Sequence, residues 1–557
     1  MRKWSGFFGV LAAALLLAIF ATTPPQPRGA DTPAGDFAAA RAMRDVTNFA
    51  SEPHPAGTPA NAKVRAELAQ RMTALGMTVS TSQGTASERG TAVRNRWSGQ
   101  NDPPQTLTNV IGVMPGKDHS LPAVLLMAHH DTVWGSPGAA DDTAGVAASL
   151  EVVRAITTQG QPPRDLIVLI TDGEELGLEG AKQFYASDPL RLHVGVVINM
   201  ESRGGGGRTT LFQTSRQNGA AMALYAGAVH RPGASSLAAF VYSVLPNDTD
   251  LSPVIKGEYV AYNFAFIGRP GLYHSPKATP ERLDQGSLQD MGGQVLDLTR
   301  ALLASPTLPA KAADAVFFDL FGLVTVIYPV WLGWVMLALA VAGFAVIVRR
   351  NGLPGLGAGS ARMTGLLVLG GVLLFALNKL SLGFGSPNYY DRLAAIPLLE
   401  VMAALAAAVT LLLTLGSWKP TPSAIAGAAL PLVVLGLAAQ ALTPTAAYVL
   451  TVPLLLLTAS LVAPWPWVRY AVAALVTGYM IALGHQLMQG VGPSMPMAVV
   501  VPLSLAALAV LPIWIGLPVQ SARRAAIGLL IAAAAVALWV QLDPPADTRA
   551  VYSDTKS

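Results

Sequence analysis

The stretch AHHDTVWGSPGAADDTAG, residues 128–145, sets His129, His130, Asp131, Asp141 and Asp142 among small residues, in a chain with only 8 histidines and 13% charged residues. Two more acidic groupings follow: Asp172, Glu174 and Glu175 in TDGEE, and Glu201 in NMES. Each grouping ends a short apolar run, AVLLM, DLIVLI or VGVVI. In an open parallel sheet, ligands bind outside the carboxyl ends of the strands. Three acidic strand ends on one edge repel one another unless a cation offsets them. Imidazole and carboxylate donors without sulfur suit zinc, and also manganese or cobalt. Cysteine is absent, which removes disulfides, thiol nucleophiles and thiolate ligands together. Among the histidines, His129 at its strand end and His274 in GLYHSP are placed to be ligands. His54, His119, His193 and His230 are read as surface or packed residues.

The elements that must position these groups follow from hydrophobic pattern. All-apolar, β-branched runs separated by helical patterns (140–158, 220–230) predict an α/β domain over 35–305, with a mostly parallel sheet covered on both faces. From 318 to 541 the chain turns almost wholly apolar and predicts an all-α polytopic membrane domain. Eight stretches (321–348, 363–383, 393–416, 423–442, 446–463, 467–488, 496–517, 525–541) approach the roughly 20 residues needed to cross a lipid bilayer. Residues 1–25 carry Arg2 and Lys3 before an apolar run and read as a signal anchor or signal peptide. Residues 542–557 read as a short polar tail. If the spans alternate, Arg349, Arg350, Arg362, Lys419, Arg523 and Arg524 share one side, the cytoplasmic one, and the globular domain is exported. The Ala-rich, cysteine-free composition fits a bacterial inner membrane; the alternative is a eukaryotic vacuolar or reticulum membrane, in which Asn247-Asp248-Thr249 would be a glycosylation sequon. Lys379, Glu400 and His485 lie inside spans and are expected to pair. The net charge of +4, with no Lys/Arg tract, gives no sign of a nucleic-acid partner.

HHDTVWGSPGAADDTAG, TDGEELGLEGAKQF, INMES and GLYHSPKATPERLD occur in that order and resemble the co-catalytic di-zinc aminopeptidases of family twenty-eight of the metallopeptidases. INMESRGGGGRTTLFQTS and the multi-span C-terminal half are similar to its endoplasmic-reticulum metallopeptidase and vacuolar membrane protease branch. The resemblance implies a zinc-exopeptidase fold, peptide substrates and two Zn²⁺ ions. It implies His129 as a ligand of one ion, Glu175 as a terminal ligand of one ion and Glu201 of the other, His274 as completing the second ion's shell, and Asp141 as the carboxylate shared by both. Asp131 would orient His129, Glu174 would be the general base for a metal-bridging hydroxide, and Tyr273 would stabilise the oxyanion. Asp142 would be a non-ligand neighbour. Relatives often carry an aspartate shortly after this histidine, where Lys277 and Ala278 stand here, so the support of His274 departs from the family's pattern while the ligand itself does not. PNDTD resembles a segment near the substrate pocket, without a role for Asp248 or Asp250. Rival readings are a glutaminyl cyclase, a non-catalytic binding or scaffold protein, and a transporter. The complete ligand set and Glu174 weigh against the first two, and the scarcity of charge inside the spans weighs against the third.

Overall fold

The structure, a computed structural model, describes residues 2–257, 259–383 and 388–542. The polar tail expected at the C-terminus lies, from 543 onward, outside the described residues. The chain divides into two units.

The first unit, Pro24–Ile327 with Asn388–Tyr390, holds the acidic strand ends. Its seven-stranded sheet is built from β1 (Thr78–Thr85), β2 (Thr106–Met114), β3 (Ala123–His129), β4 (Leu166–Thr171), β5 (Val194–Ser202), β6 (Gly206–Thr214) and β7 (Val260–Gly268), in the order β1-β2-β4-β3-β5-β7-β6. The four central strands β4, β3, β5 and β7 are parallel, while β1, β2 and β6 join antiparallel. The sheet is thus mixed, parallel at its centre and antiparallel towards both edges. The apolar runs trace the parallel centre, because those strands are covered on both faces. Val124, Leu126 and Ala128 enter one core with Val168, Ile170, Val196 and Ile198, whereas Leu125 and Met127 enter a second with Ile167, Leu169 and Val197. A strand with two buried faces loses its polar alternation. The edge strand β1 keeps exposed, polar alternation in TVSTSQGT.

The helix Thr143–Thr157 crosses one face and is almost entirely buried. Its first N–H groups need acceptors, and the Asp142 carboxylate takes the Gly145 N–H at 3.2 Å. Residues 203–205 reverse the chain into β6. A Cβ on Gly204 (φ 151°) would meet the Gly268 carbonyl, so only glycine fits there.

The apolar run from Phe318 does not start a span. Residues Ala315–Leu320 (β8) and Val324–Pro329 (β9) form a two-stranded hairpin, and the helix begins only at Leu332. Phe321 (φ 55°) and Gly322 (φ 71°) make the turn. Aromatic and β-branched residues around a Phe-Gly turn favour strand over helix here, and hydrophobicity alone does not separate the two.

The second unit, Met1–Thr23, Tyr328–Pro387 and Asp391–Pro545, is helical. Among the described residues, 8 helices are long and apolar enough to cross a membrane, including Trp4–Thr22. The stretch expected at 446–463 is a helix of 15 residues, Tyr448–Val462. Helices approach closely at small residues. Gly359 meets the Ala424 carbonyl while Gly427 meets the Leu356 carbonyl, and Gly478 faces Ala14. Inside this unit Glu400 accepts from Gln489 at 2.7 Å and pairs with His485 Nδ1 at 2.9 Å. Lys379 does not complete the expected cluster. Its ammonium lies over the Phe375 ring, one turn back on its own helix.

Candidate metal centre

Strands β3 and β5 run in register, so their carboxyl ends bring His129 and Glu201 to one edge, and the loops after β3 and β4 add Asp141, Glu174 and Glu175. Asp141 is the geometric centre. Its Oδ1 lies 3.2 Å from His129 Nε2, and its Oδ2 lies 3.1 Å from His274 Nε2. Glu201 Oε2 is 3.9 Å from His129 Nε2, and Glu175 Oε1 is 3.1 Å from His274 Nε2. Three donor groups have their atoms within 4.8 Å of one another, His129–Asp141–Glu201, Asp141–Glu175–His274 and His129–Glu174–Glu175, and the first two contain all five residues implied as ligands. The five residues implied as ligands therefore meet in two groups that share Asp141.

Hydrogen bonds fix the orientations. His129 Nδ1 donates to the Asp131 carbonyl at 2.9 Å, which turns Nε2 towards Asp141. The Asp131 carboxylate accepts the amides of Glu174 at 3.0 Å and Glu175 at 3.2 Å, and its Oδ1 is 3.6 Å from His129 Nδ1. Asp131 thus holds a histidine with its main chain and two glutamates with its side chain. His274 Nδ1 lies 2.9 Å from the Tyr390 hydroxyl, and the Tyr273 ring stacks on His274 with centroids 3.6 Å apart. Glu174 Oε2 reaches to 4.0 Å from His129 Nε2.

Neighbours of the same residue types serve the fold instead. His130 packs its ring nitrogens against Asn61 and the Thr108 carbonyl. Asp142 caps its helix and accepts the His129 N–H. Asp172 accepts the Thr108 amide at 2.9 Å. His119 and His193 flank Asp165, and His230 pairs with Asp297. His54 is buried, with Nδ1 on the Glu52 carbonyl.

The electrostatics are those of a buried anionic cluster. Burial, with repulsion from Asp141 and Asp250, pushes Glu201 up to about 8 despite the opposing pull of His129. Burial holds Glu174 well above the usual carboxylate range, with Glu201 and Glu175 adding to the rise against His129. Burial also works against Asp141, yet bonding to His129 and His274 brings it down to about 2. Both imidazoles sit well above their ordinary value, because the carboxylates outweigh burial.

These residues fit a bound metal cation. Donor atoms held roughly 2.0–2.1 Å from one tetrahedral zinc lie about 3.4 Å apart, close to the spacings here. Glu175 Oε1 is buried without a hydrogen-bond partner, as a ligand oxygen would be. The set is nitrogen and oxygen only, which suits zinc, manganese or cobalt.

Residues 109–299, the segment carrying this geometry, match the sequence profile of peptidase family M28. The chain carries a family M28 peptidase domain. Relatives of this M28 domain include endoplasmic reticulum metallopeptidase 1 of Mus musculus, 31% identical over 253 residues that cover 44% of this chain and 28% of that protein. Vacuolar membrane protease of Yarrowia lipolytica is 31% identical over 250 residues, covering 43% of this chain and 25% of its own. The matches thus span between a quarter and a third of these relatives. Among solved structures, an aminopeptidase from Aneurinibacillus sp. strain AM-1 aligns at 15% identity over 50% of this chain and 97% of its own, with a TM-score of 0.39. With membrane-protein relatives and 8 apolar helices, the chain is a multi-pass membrane protein carrying an M28 domain.

Two residues around the centre, Tyr242 and Tyr390, escape the sequence, and a third, Asp250, stands in PNDTD without a role. The Tyr242 hydroxyl is held well above its ordinary value by burial and then by Glu201, Asp248 and Glu174. It comes from an apolar helix, Ser236–Val244, with no chemical signature. Asp250 is buried, bonds Thr171 Oγ1, and is pushed up to about 7, chiefly by burial. Tyr390 stands 116 residues beyond His274, and nothing in its SPNYYDR setting points to a metal centre.

Proposed function

We propose that the chain is a zinc-dependent aminopeptidase that removes N-terminal residues from peptides at the membrane surface, with two Zn²⁺ ions held by the two donor sets. The observation that carries this reading is Asp141, whose two oxygens face His129 and His274 separately. His129, Asp141 and Glu201 would hold one ion, and Asp141, Glu175 and His274 the other. Bound zinc lowers the pKa of water towards about 7 and polarises a carbonyl.

The protein's own groups do the rest. Glu174, fixed through its amide to Asp131, takes a proton from the attacking water on Oε2 and returns it to the leaving amine. Tyr242 and Tyr273 are the phenols available to donate to the carbonyl oxygen as it gains charge.

The orientation proposed from charge places the M28 domain on the extracytoplasmic side. Arg349, Arg350, Lys419, Arg523 and Arg524 share the opposite side only if the 15-residue helix Tyr448–Val462 also crosses, so we take it as a span. Composition is the basis for placing the protein in a bacterial inner membrane, whereas the named relatives belong to reticulum and vacuolar membranes.

The test is hydrolysis of one peptide series with free and blocked N-termini by purified full-length protein, beside Glu174→Gln and a chelator-treated sample. Stepwise loss from free N-termini only, abolished in both controls, is expected. Cleavage of blocked peptides from the C-terminus, or no cleavage by protein with two bound zinc ions, would overturn the aminopeptidase reading. Ring closure of N-terminal glutamine would replace it with a cyclase.

A further inference from the structure

The two histidines of the centre are held differently. His129 donates from Nδ1 to the Asp131 carbonyl, an acceptor two residues along its own chain. His274 has no aspartate in the following residues, where Lys277 and Ala278 stand. Its Nδ1 instead meets the Tyr390 hydroxyl at 2.9 Å, across 116 residues of sequence. Tyr390 is 2% exposed, and its amide is tied to Asn388 Oδ1 at 2.9 Å. The Tyr273, His274 and Tyr390 rings lie together, with Tyr390 5.7 Å from His274 and 6.4 Å from Tyr273. His274 itself has φ 56°, a backbone setting that a bulky residue adopts only where its surroundings hold it.

We propose that Tyr390 is a positioning residue of the metal centre, whose hydroxyl oxygen accepts the Nδ1–H of His274. A histidine ligand almost always donates its second ring N–H, and that bond fixes the tautomer and the ring orientation. With Nδ1 protonated, the Nε2 lone pair is directed to the Asp141–Glu175 side. The segment Asn388–Tyr390 thereby controls one of the two donor sets and leaves the other, His129–Asp141–Glu201, to its local carbonyl.

The inference rests on the zinc reading above, and zinc binding itself separates the two. Zinc affinity and stoichiometry would be measured by chelator competition on the full-length protein, as wild type, Tyr390→Phe, Tyr390→Gln and the neighbouring Tyr389→Phe. Loss of such a supporting partner costs about 10–100-fold in metal affinity. Tyr390→Phe keeps the ring and should weaken one ion by that factor while the other keeps wild-type affinity. Tyr390→Gln retains an acceptor oxygen without the ring and should lie closer to wild type than Tyr390→Phe. The absorption spectrum of the cobalt-loaded protein should change for one ion only, and Tyr389→Phe should match wild type throughout. Thermal unfolding of the chelator-treated proteins separates a lost ligand from a lost fold. Unchanged affinity at both ions in folded Tyr390→Phe, or equal weakening at both, overturns the proposal. A wild type that binds no zinc removes the functional reading instead.

Discussion

Asp141→Asn tests the shared carboxylate directly. The substitution keeps size and shape but leaves one oxygen where two faced His129 at 3.2 Å and His274 at 3.1 Å. An amide oxygen can serve one ion, and its NH₂ cannot serve the other. Removing even a hydrogen-bond partner of a ligand costs about 10–100-fold in affinity, so about 100-fold is a reasonable floor for a lost ligand. At a zinc concentration about 1,000 times Kd, each wild-type ion stabilises the folded unit by about 4.1 kcal/mol. A 100-fold weaker ion contributes about 1.4 kcal/mol, so about 2.7 kcal/mol is lost per affected ion. At about 2–4 °C per kcal/mol for a domain of this size, the zinc-dependent rise in Tm should shrink by roughly 5–10 °C. The assay is thermal unfolding against zinc concentration, with metal counted in the same samples. One ion retained tightly and one lost is the expected pattern. Two ions per chain with the full wild-type rise would refute the shared-ligand geometry.

The His54 imidazole is lowered to about 4 by burial above all, against an ordinary 6.5, so it stays neutral in the fold while the unfolded chain takes up a proton. Its stability contribution is therefore complete above pH 6.5 and is lost as pH falls towards 4. The stability advantage of wild type over His54→Gln should shrink by about 2 kcal/mol between pH 7 and pH 5, read from denaturant unfolding. Asp290→Asn should destabilise the same unit by about 3–5 kcal/mol, because Asp290 accepts from buried Arg208 Nε at 2.6 Å and the arginine would keep its charge after losing its hydrogen-bonded carboxylate. Inside the helical unit, Lys379→Met should change stability in detergent by less than about 0.5 kcal/mol. Glu400→Leu removes the acceptor of both His485 and Gln489 and should cost about 1–3 kcal/mol. Equal effects of these two substitutions would return Lys379 to the cluster.

What the sequence discloses depends on how local its cause is. Strands β3, β4 and β5 are legible because burial on both faces forces continuous apolar runs, and their charged ends mark the edge where a ligand sits. The antiparallel joining of β2 and β6 is not legible, since it depends on which neighbour each strand finds. The hairpin at Ala315–Pro329 is as apolar as a span and differs from one mainly in its Phe-Gly turn. His129, Asp141, Glu174, Glu175, Glu201 and His274 stand in compact motifs, so their types and order identify them. Tyr242 and Tyr390 owe their places to tertiary packing and carry no local mark, whereas Asp250 stands in the PNDTD segment that the sequence marks without giving it a role. Lys379 and Glu400 occupy spans of similar depth, but helix rotation, which hydrophobicity leaves open, turns Glu400 to His485.

The distance between His274 and Tyr390 also orders events during biosynthesis. Every donor of the His129 set has been translated by residue 201, and its histidine carries its acceptor within the same loop. His274 appears later, and the tyrosine that orients it follows 116 residues after that, roughly 6–23 s at 5–20 residues per second. During that interval a nascent chain has one ligand set with its support in place and one without. We expect metal loading to be staged, the first ion entering a partly made protein and the second retained only after the ribosome has passed Tyr390. Ribosome-bound chains stalled before and after that codon should differ by one tightly held zinc.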